Sequence, residues 1–177
     1  MEALECILSR RSVRRFEEKP IEPEKMGLLL EAVRFAPSWK NTQCWQVFVV
    51  QDSEIKVKIQ SSLTPNNPAA KSIIQAPAVV VLCAEKGVSG LGKDTFETDK
   101  GDWFMYDIGV AAQNFCLAAH SLGLGSVHVG AFDAAIVDAS LEISYPLTSV
   151  IILPIGYPTR IGNAPPRKEI NEFTHYR

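Results

Sequence analysis

From Asp102 to Leu122 the chain returns an apolar residue every three or four positions: Phe104, Ile108, Ala112, Phe115, Ala119 and Leu122. That spacing predicts one long helix, the strongest helical signal in the sequence. Gly109, Ala111, Ala112, Ala118 and Ala119 keep much of its surface small, so another helix can approach closely. A helix apolar over so wide a face is buried either in a core or across a subunit interface. The rest of the chain has to supply that cover.

Shorter signals surround the helix. Pro23 and Glu24 open a segment in which Met26, Leu29, Leu30 and Val33 recur at helical spacing, and it stops near Ala36-Pro37 because proline disfavours helix in the residue before it. Gln46–Val50 reads as a buried β-strand, as do Ala78–Ala84, Ser126–Val129 and Ser149–Ile155. Two amphipathic segments, Ile55–Leu63 and Ala69–Gln75, lie between the first two strands, and Asp133 is a good N-cap for another helix. Residues 85–101, with Gly87, Gly90, Gly92 and Gly101 among charged residues, suggest a flexible surface loop. Gly123 and Gly125 read as a helix C-cap and a turn. Helices interleaved with strands in this order indicate one α+β domain over residues 1–177.

Bulk properties narrow the function. A formal net charge of -2 without a long basic tract argues against nucleic acid as the main partner. No apolar run is long enough to span a bilayer and no signal peptide is visible, so a cytoplasmic location is expected. Cys6, Cys44, Cys83 and Cys116 are far apart, and no Cys-x-x-Cys or clustered histidines suggest a metal. Cys83 and Cys116 sit in apolar surroundings and read as small core residues.

Against that near-neutral background, four arginines crowd into Arg10-Arg11-Ser12-Val13-Arg14-Arg15-Phe16. Guanidinium groups match phosphate bidentately and a hydroxyl can complete the cradle, so the run is a candidate anion site. The alternative is a solvated basic turn at the end of a first helix, favouring its C-terminal dipole.

Three more segments accompany it: Ala36-Pro37-Ser38-Trp39-Lys40-Asn41-Thr42-Gln43-Cys44-Trp45, Gly123-Leu124-Gly125-Ser126-Val127-His128-Val129-Gly130-Ala131-Phe132-Asp133, and Leu153-Pro154-Ile155-Gly156-Tyr157-Pro158. In this order the set resembles the nitroreductase family of FMN-dependent oxidoreductases. The first run matches the family's Arg-Arg-Ser-x-Arg-x-Phe pattern. Pro37 to Trp45 match its Pro-Ser-x-x-Asn-x-Gln-Pro-Trp loop, with Cys44 in place of the usual proline.

The resemblance implies an α+β sandwich with a central, mostly antiparallel sheet flanked by helices. It further implies a homodimer with FMN at the subunit interface and a C-terminal tail wrapping the partner subunit. Residue by residue, it puts Arg10, Arg11, Ser12 and Arg14 on the cofactor, with Arg10 at the phosphate and Arg14 near the N1 and O2 edge of the ring. Pro37, Ser38, Trp39 and Asn41 would reach the flavin of the other subunit. Gly130 and Ala131 would bring backbone amides to the N5 edge, and Arg167 and Lys168 would complete the phosphate site. Asn66 and Asn67 lie in a region that contacts the ring in relatives, without a local match that carries the role over.

A cation near N1 favours the charge that hydride transfer leaves there, and a glycine permits close backbone approach. The implied activity is transfer of hydride from NAD(P)H through FMN to an electron-poor acceptor such as a nitroaromatic or a quinone. A reductive dehalogenase, a flavin-consuming enzyme and a non-catalytic FMN-binding protein are the alternatives on the same fold. No catalytic side chain is singled out.

Overall fold

The computed structural model describes residues 2–177. In chain order the elements are α1 (Ala3–Ser9), α2 (Pro23–Arg34), β1 (Trp45–Val50), α3 (Ser53–Ser61), α4 (Ala70–Gln75), β2 (Ala78–Glu85), α5 (Phe104–Ser121), β3 (Gly125–Ser126), α6 (Ala134–Ser140) and β4 (Leu147–Gly156). The strands form one sheet in the order β1-β2-β4-β3, antiparallel at every pairing.

Strand β2 sits inside the sheet, and every residue from Ala78 to Ala84 is fully buried. Successive side chains of a strand point to opposite faces, so a strand covered on both sides is apolar throughout. Ala78, Val80, Leu82 and Ala84 pack with Leu29 and Val33 of α2 and Ile108, Phe115 and Ala119 of α5. Val79, Val81 and Cys83 face the other way, onto Ile59 of α3, Ile73 of α4 and Val137 of α6. The result is three layers, with the long helix predicted from its periodicity buried in the core of its own chain. Its other side leaves Met105 and Tyr106 exposed.

Helix α5 ends as its sequence predicts. Gly123 takes a positive φ of 77°, and the Leu124 amide reaches back to the Ala119 carbonyl at 2.8 Å. Two other expectations change. The third strand is only Gly125–Ser126, and the chain rejoins β4 at Val129, which exchanges both backbone hydrogen bonds with Ile152. Residues 85–101 do not simply lie on the surface, because Ser89 and Gly90 are buried. A Cβ on Gly90 would meet Trp103 Cδ1 at 2.6 Å, so the glycine allows that loop to pass under the indole.

The arginine run follows α1 and lies along the open side of β3. The Val13 amide donates to the Ser126 carbonyl at 3.0 Å, Ser12 bridges Ser126 in parallel, and Phe16 bridges Pro158. Val13 presses on Gly125, where an added Cβ would fall 2.6 Å from Val13 Cγ2. Gly125 is therefore required by packing and is more than a turn residue. Replacing it by alanine is expected to lower stability by about 1–3 kcal/mol, the usual range for overpacking. Urea unfolding of Gly125→Ala beside the natural protein measures the loss.

Candidate functional site

The arginines of the run are placed differently. Arg11 Nη1 donates to the Leu8 carbonyl at 2.7 Å and the Arg10 carbonyl at 2.8 Å, closing the C-terminal end of α1. Arg10 does something else. Its Nη1 is buried with no hydrogen-bond partner among the described residues. An unpaired guanidinium donor below the surface is costly, and an anion beside it removes that cost. Arg10, Arg11, Ser12 and Arg14 line one cavity of about 330 Å³ together with Gly162, Asn163, Pro165 and Arg167 from the C-terminal tail. No carboxylate lines it.

Behind Arg10 lies a second hollow of about 230 Å³ whose wall includes Cys116 and His120. His120 Nε2 is 2.8 Å from Ser9 Oγ. Burial, and then the positive charges of Arg10 and Arg11, push the pKa of this imidazole below its ordinary value. The neutral form of the ring is thus favoured beside the guanidinium groups.

The segment from Pro37 to Trp45 forms a separate wall. Lys40, Asn41 and Gln43 adopt positive φ values of 44°, 59° and 50°. Non-glycine residues held there cost about 1–3 kcal/mol each and persist only where the surroundings over-determine them. Here the surroundings converge on Asp107 of α5, which is fully buried. Its carboxylate accepts the Trp39 amide at 3.1 and 3.2 Å, accepts the Ser89 hydroxyl, and lies 3.7 Å from Cys44 Sγ. Ser38 Oγ accepts the Gln43 amide at 2.9 Å. The Trp39 and Trp103 rings pack at 5.0 Å between centroids, and Tyr106 meets Trp103 edge-on at 5.5 Å. Pro37, Ser38, Trp39, Trp103, Tyr106 and Asp107 enclose a pocket of about 210 Å³.

Asp107 is absent from the residues expected from sequence. A signal for it existed: Asp107 falls one turn before Ala111 on the apolar side of the helix, where a carboxylate needs a reason.

Gly130 and Ala131 are exposed. A Cβ on Gly130 would find only Ile151 Cδ1 at 3.7 Å, so packing within the chain does not demand glycine there. The Ala131 carbonyl accepts from the Thr64 amide at 3.2 Å and Asn67 Nδ2 at 3.3 Å, which brings the Asn66-Asn67 turn beside it. The structure thus brings Arg10, Arg11, Ser12, Arg14 and Arg167 together and gathers Pro37, Ser38 and Trp39 elsewhere, and the two cavities share no lining residue. Asn41, Gly130, Ala131 and Lys168 line neither.

Comparison with known proteins decides the family. The Nitroreductase family model matches residues 7–71 and 62–157. The chain belongs to the nitroreductase family. An FMN reductase [NAD(P)H] of Bacillus subtilis is 32% identical over 139 residues, covering 73% of this chain and 54% of that protein. A nitroreductase family protein from Clostridium difficile 630 superposes with a TM-score of 0.85 at 25% identity, covering 99% of this chain and 98% of the other. An FMN-dependent nitroreductase from Clostridium difficile R20291 gives a TM-score of 0.82 at 24% identity over 98% of each chain. No helix among the described residues is long and apolar enough to cross a membrane.

Two outcomes follow from the electrostatics. Burial, with the Asp107 carboxylate second, pushes the Cys44 thiol up to about 12. At pH 8 its thiolate fraction is about one in ten thousand, and iodoacetamide is expected to leave Cys44 unmodified in the folded protein, as peptide mapping would show. For His120 the folded pKa is depressed, so the unfolded chain binds the extra proton. Its contribution to stability is fully present above the unfolded value and is lost as pH falls towards and through the folded value. His120→Gln is therefore expected to flatten the fall in thermal midpoint on acidification below about pH 6.5, the ordinary histidine value.

Proposed function

We propose that this chain is an FMN-dependent NAD(P)H oxidoreductase whose acceptor is an electron-poor aromatic of the nitroaromatic or quinone type. The observation that carries the cofactor assignment is the unpartnered Arg10 Nη1 beside a cavity walled by Arg10, Arg11, Ser12, Arg14 and Arg167. Those groups fit a phosphate monoester: guanidinium donors in quantity, one hydroxyl and no competing carboxylate. When bound, FMN would supply the redox chemistry that links the reduced nicotinamide to the acceptor.

The chain's own residues do the placing. Arg10 and Ser12 hold the phosphate, Arg167 closes over it from the tail, and Lys168 adds charge beside it. Arg14 supplies positive charge at the end of the run, where it favours negative charge on the ring. Gly130 and Ala131 offer a backbone edge unobstructed by side chains. Pro37, Ser38, Trp39 and Asn41 form the opposing wall.

That wall comes from a second copy of the chain. In one chain the arginine cavity and the Trp39 pocket are separate. Large apolar side chains also stand exposed on α1 (Leu4, Ile7, Leu8), on α5 (Met105, Tyr106) and on the tail (Ile170, Phe173, Tyr176). A symmetric dimer covers such faces and joins the two half-sites.

Anaerobic titration of the FMN-reconstituted protein with NADPH and NADH tests the activity. Bleaching of the flavin by either nucleotide, reversed by a quinone or nitroaromatic, is the expected result. A flavin that neither nucleotide bleaches rejects it. Arg10→Gln removes a charge-assisted donor and is expected to weaken FMN binding roughly tenfold to a hundredfold, read as quenching of free-flavin fluorescence.

A further inference from the structure

Asp107 is a fully buried carboxylate with no salt-bridge partner among the described residues. A buried charge has to be satisfied by hydrogen bonds, and here the donors come from two loops distant in sequence. The Trp39 amide reaches both of its oxygens, and the Ser89 hydroxyl reaches Oδ2. The first loop carries the left-handed residues Lys40, Asn41 and Gln43; the second is the glycine-rich segment before α5. Outside this buried point the loops meet again where Lys40 pairs with Glu97 and where Trp39 packs against Trp103. An exposed ion pair contributes little, so the buried acceptor is the stronger tie.

We propose that Asp107 is a positioning residue. One carboxylate gathers the Trp39 amide and the Ser89 hydroxyl, holds residues 37–43 in their left-handed course against α5, and so fixes the wall that FMN and the acceptor meet. The proposal rests on the functional reading above. It assigns Asp107 no contact with cofactor or substrate. Its chemistry has to be that of an acceptor on both oxygens: an amide in its place keeps one acceptor and turns an N–H towards donors. Ser89→Ala removes a single hydroxyl and leaves the Trp39 bond in place, so it acts in the same direction with smaller effect.

The test compares Asp107→Asn, Ser89→Ala and Val137→Ala, the last a buried residue of α6 in the opposite core layer. Three quantities are read: hydrogen exchange at the Trp39 amide, the FMN dissociation constant, and kcat and KM with saturating FMN. In Asp107→Asn the Trp39 amide exchanges faster and the dissociation constant rises roughly tenfold, as loss of a charged hydrogen bond implies. The acceptor KM rises with it, while kcat stays within about twofold because no reacting group is removed. Val137→Ala lowers the thermal midpoint and leaves the FMN constant unchanged.

An FMN constant and acceptor KM that stay at the natural values in Asp107→Asn overturn the proposal. So does a Val137→Ala variant that shifts them equally. Should Asp107→Asn fail to fold, Ser89→Ala decides on the same readouts: a faster Trp39 amide with weaker FMN binding supports the tie, and unchanged values reject it. If the natural protein binds no FMN, the functional reading falls, and the Trp39 exchange rate alone decides whether Asp107 holds the loop.

Discussion

The placement of β2 is the constraint on which the rest of the molecule depends. Seven successive residues, Ala78 to Ala84, have no exposed surface, so the strand has to be paired on both edges and covered on both faces. Pairing with β4 carries the chain to Gly156 and Tyr157, against which Phe16 and Glu17 are laid, and β3 on the other edge of β4 takes Ser12 and Val13; the Glu17 amide donates to the Tyr157 carbonyl at 2.9 Å. Covering with α5 brings Asp107 under the Trp39 loop. The arginine cavity and the aromatic pocket are thus both set by contacts made from the same central strand, one through its edge and the other through its face.

Much of this was legible in the sequence, for a physical reason. Periodicity reports burial, and α5, β2 and β4 are strongly buried, so their type and approximate extent could be read directly. Gly123 was readable as a helix end because only a left-handed residue closes that turn without strain. The strand expected through Val129 is longer than β3 because Val127 and Val129 alternate like strand residues while most of the backbone after Ser126 leaves the ladder. Composition marks 85–101 as a loop but does not reveal that Ser89 is drawn inside by a carboxylate eighteen positions later. Such long-range polar ties leave little trace in a single sequence.

The site shows the same division. Its charge was visible as four arginines in one short run, which by itself left an anion site and a solvated helix-capping turn both open. The residues alone did not divide the arginines, although the resemblance put Arg10 at the phosphate; in the structure Arg11 satisfies the end of α1, and Arg10 is left with an unpaired donor. The glycines also separate by neighbourhood. Gly125 is required by Val13, whereas Gly130 meets little from its own chain, which fits a backbone kept open for something outside it. On this account the protein contributes position and charge, and the redox chemistry belongs to the cofactor.

In the proposed function the Arg10–Arg14 run, together with Arg167, cradles the phosphate of FMN. A crystal structure of the FMN-loaded protein tests it most directly. Phosphate oxygens are expected within hydrogen-bond distance of Arg10 and Ser12, with the ring against Pro37–Trp39 of a second copy. A phosphate bound away from the arginine run, or a ring held within a single chain, would contradict it.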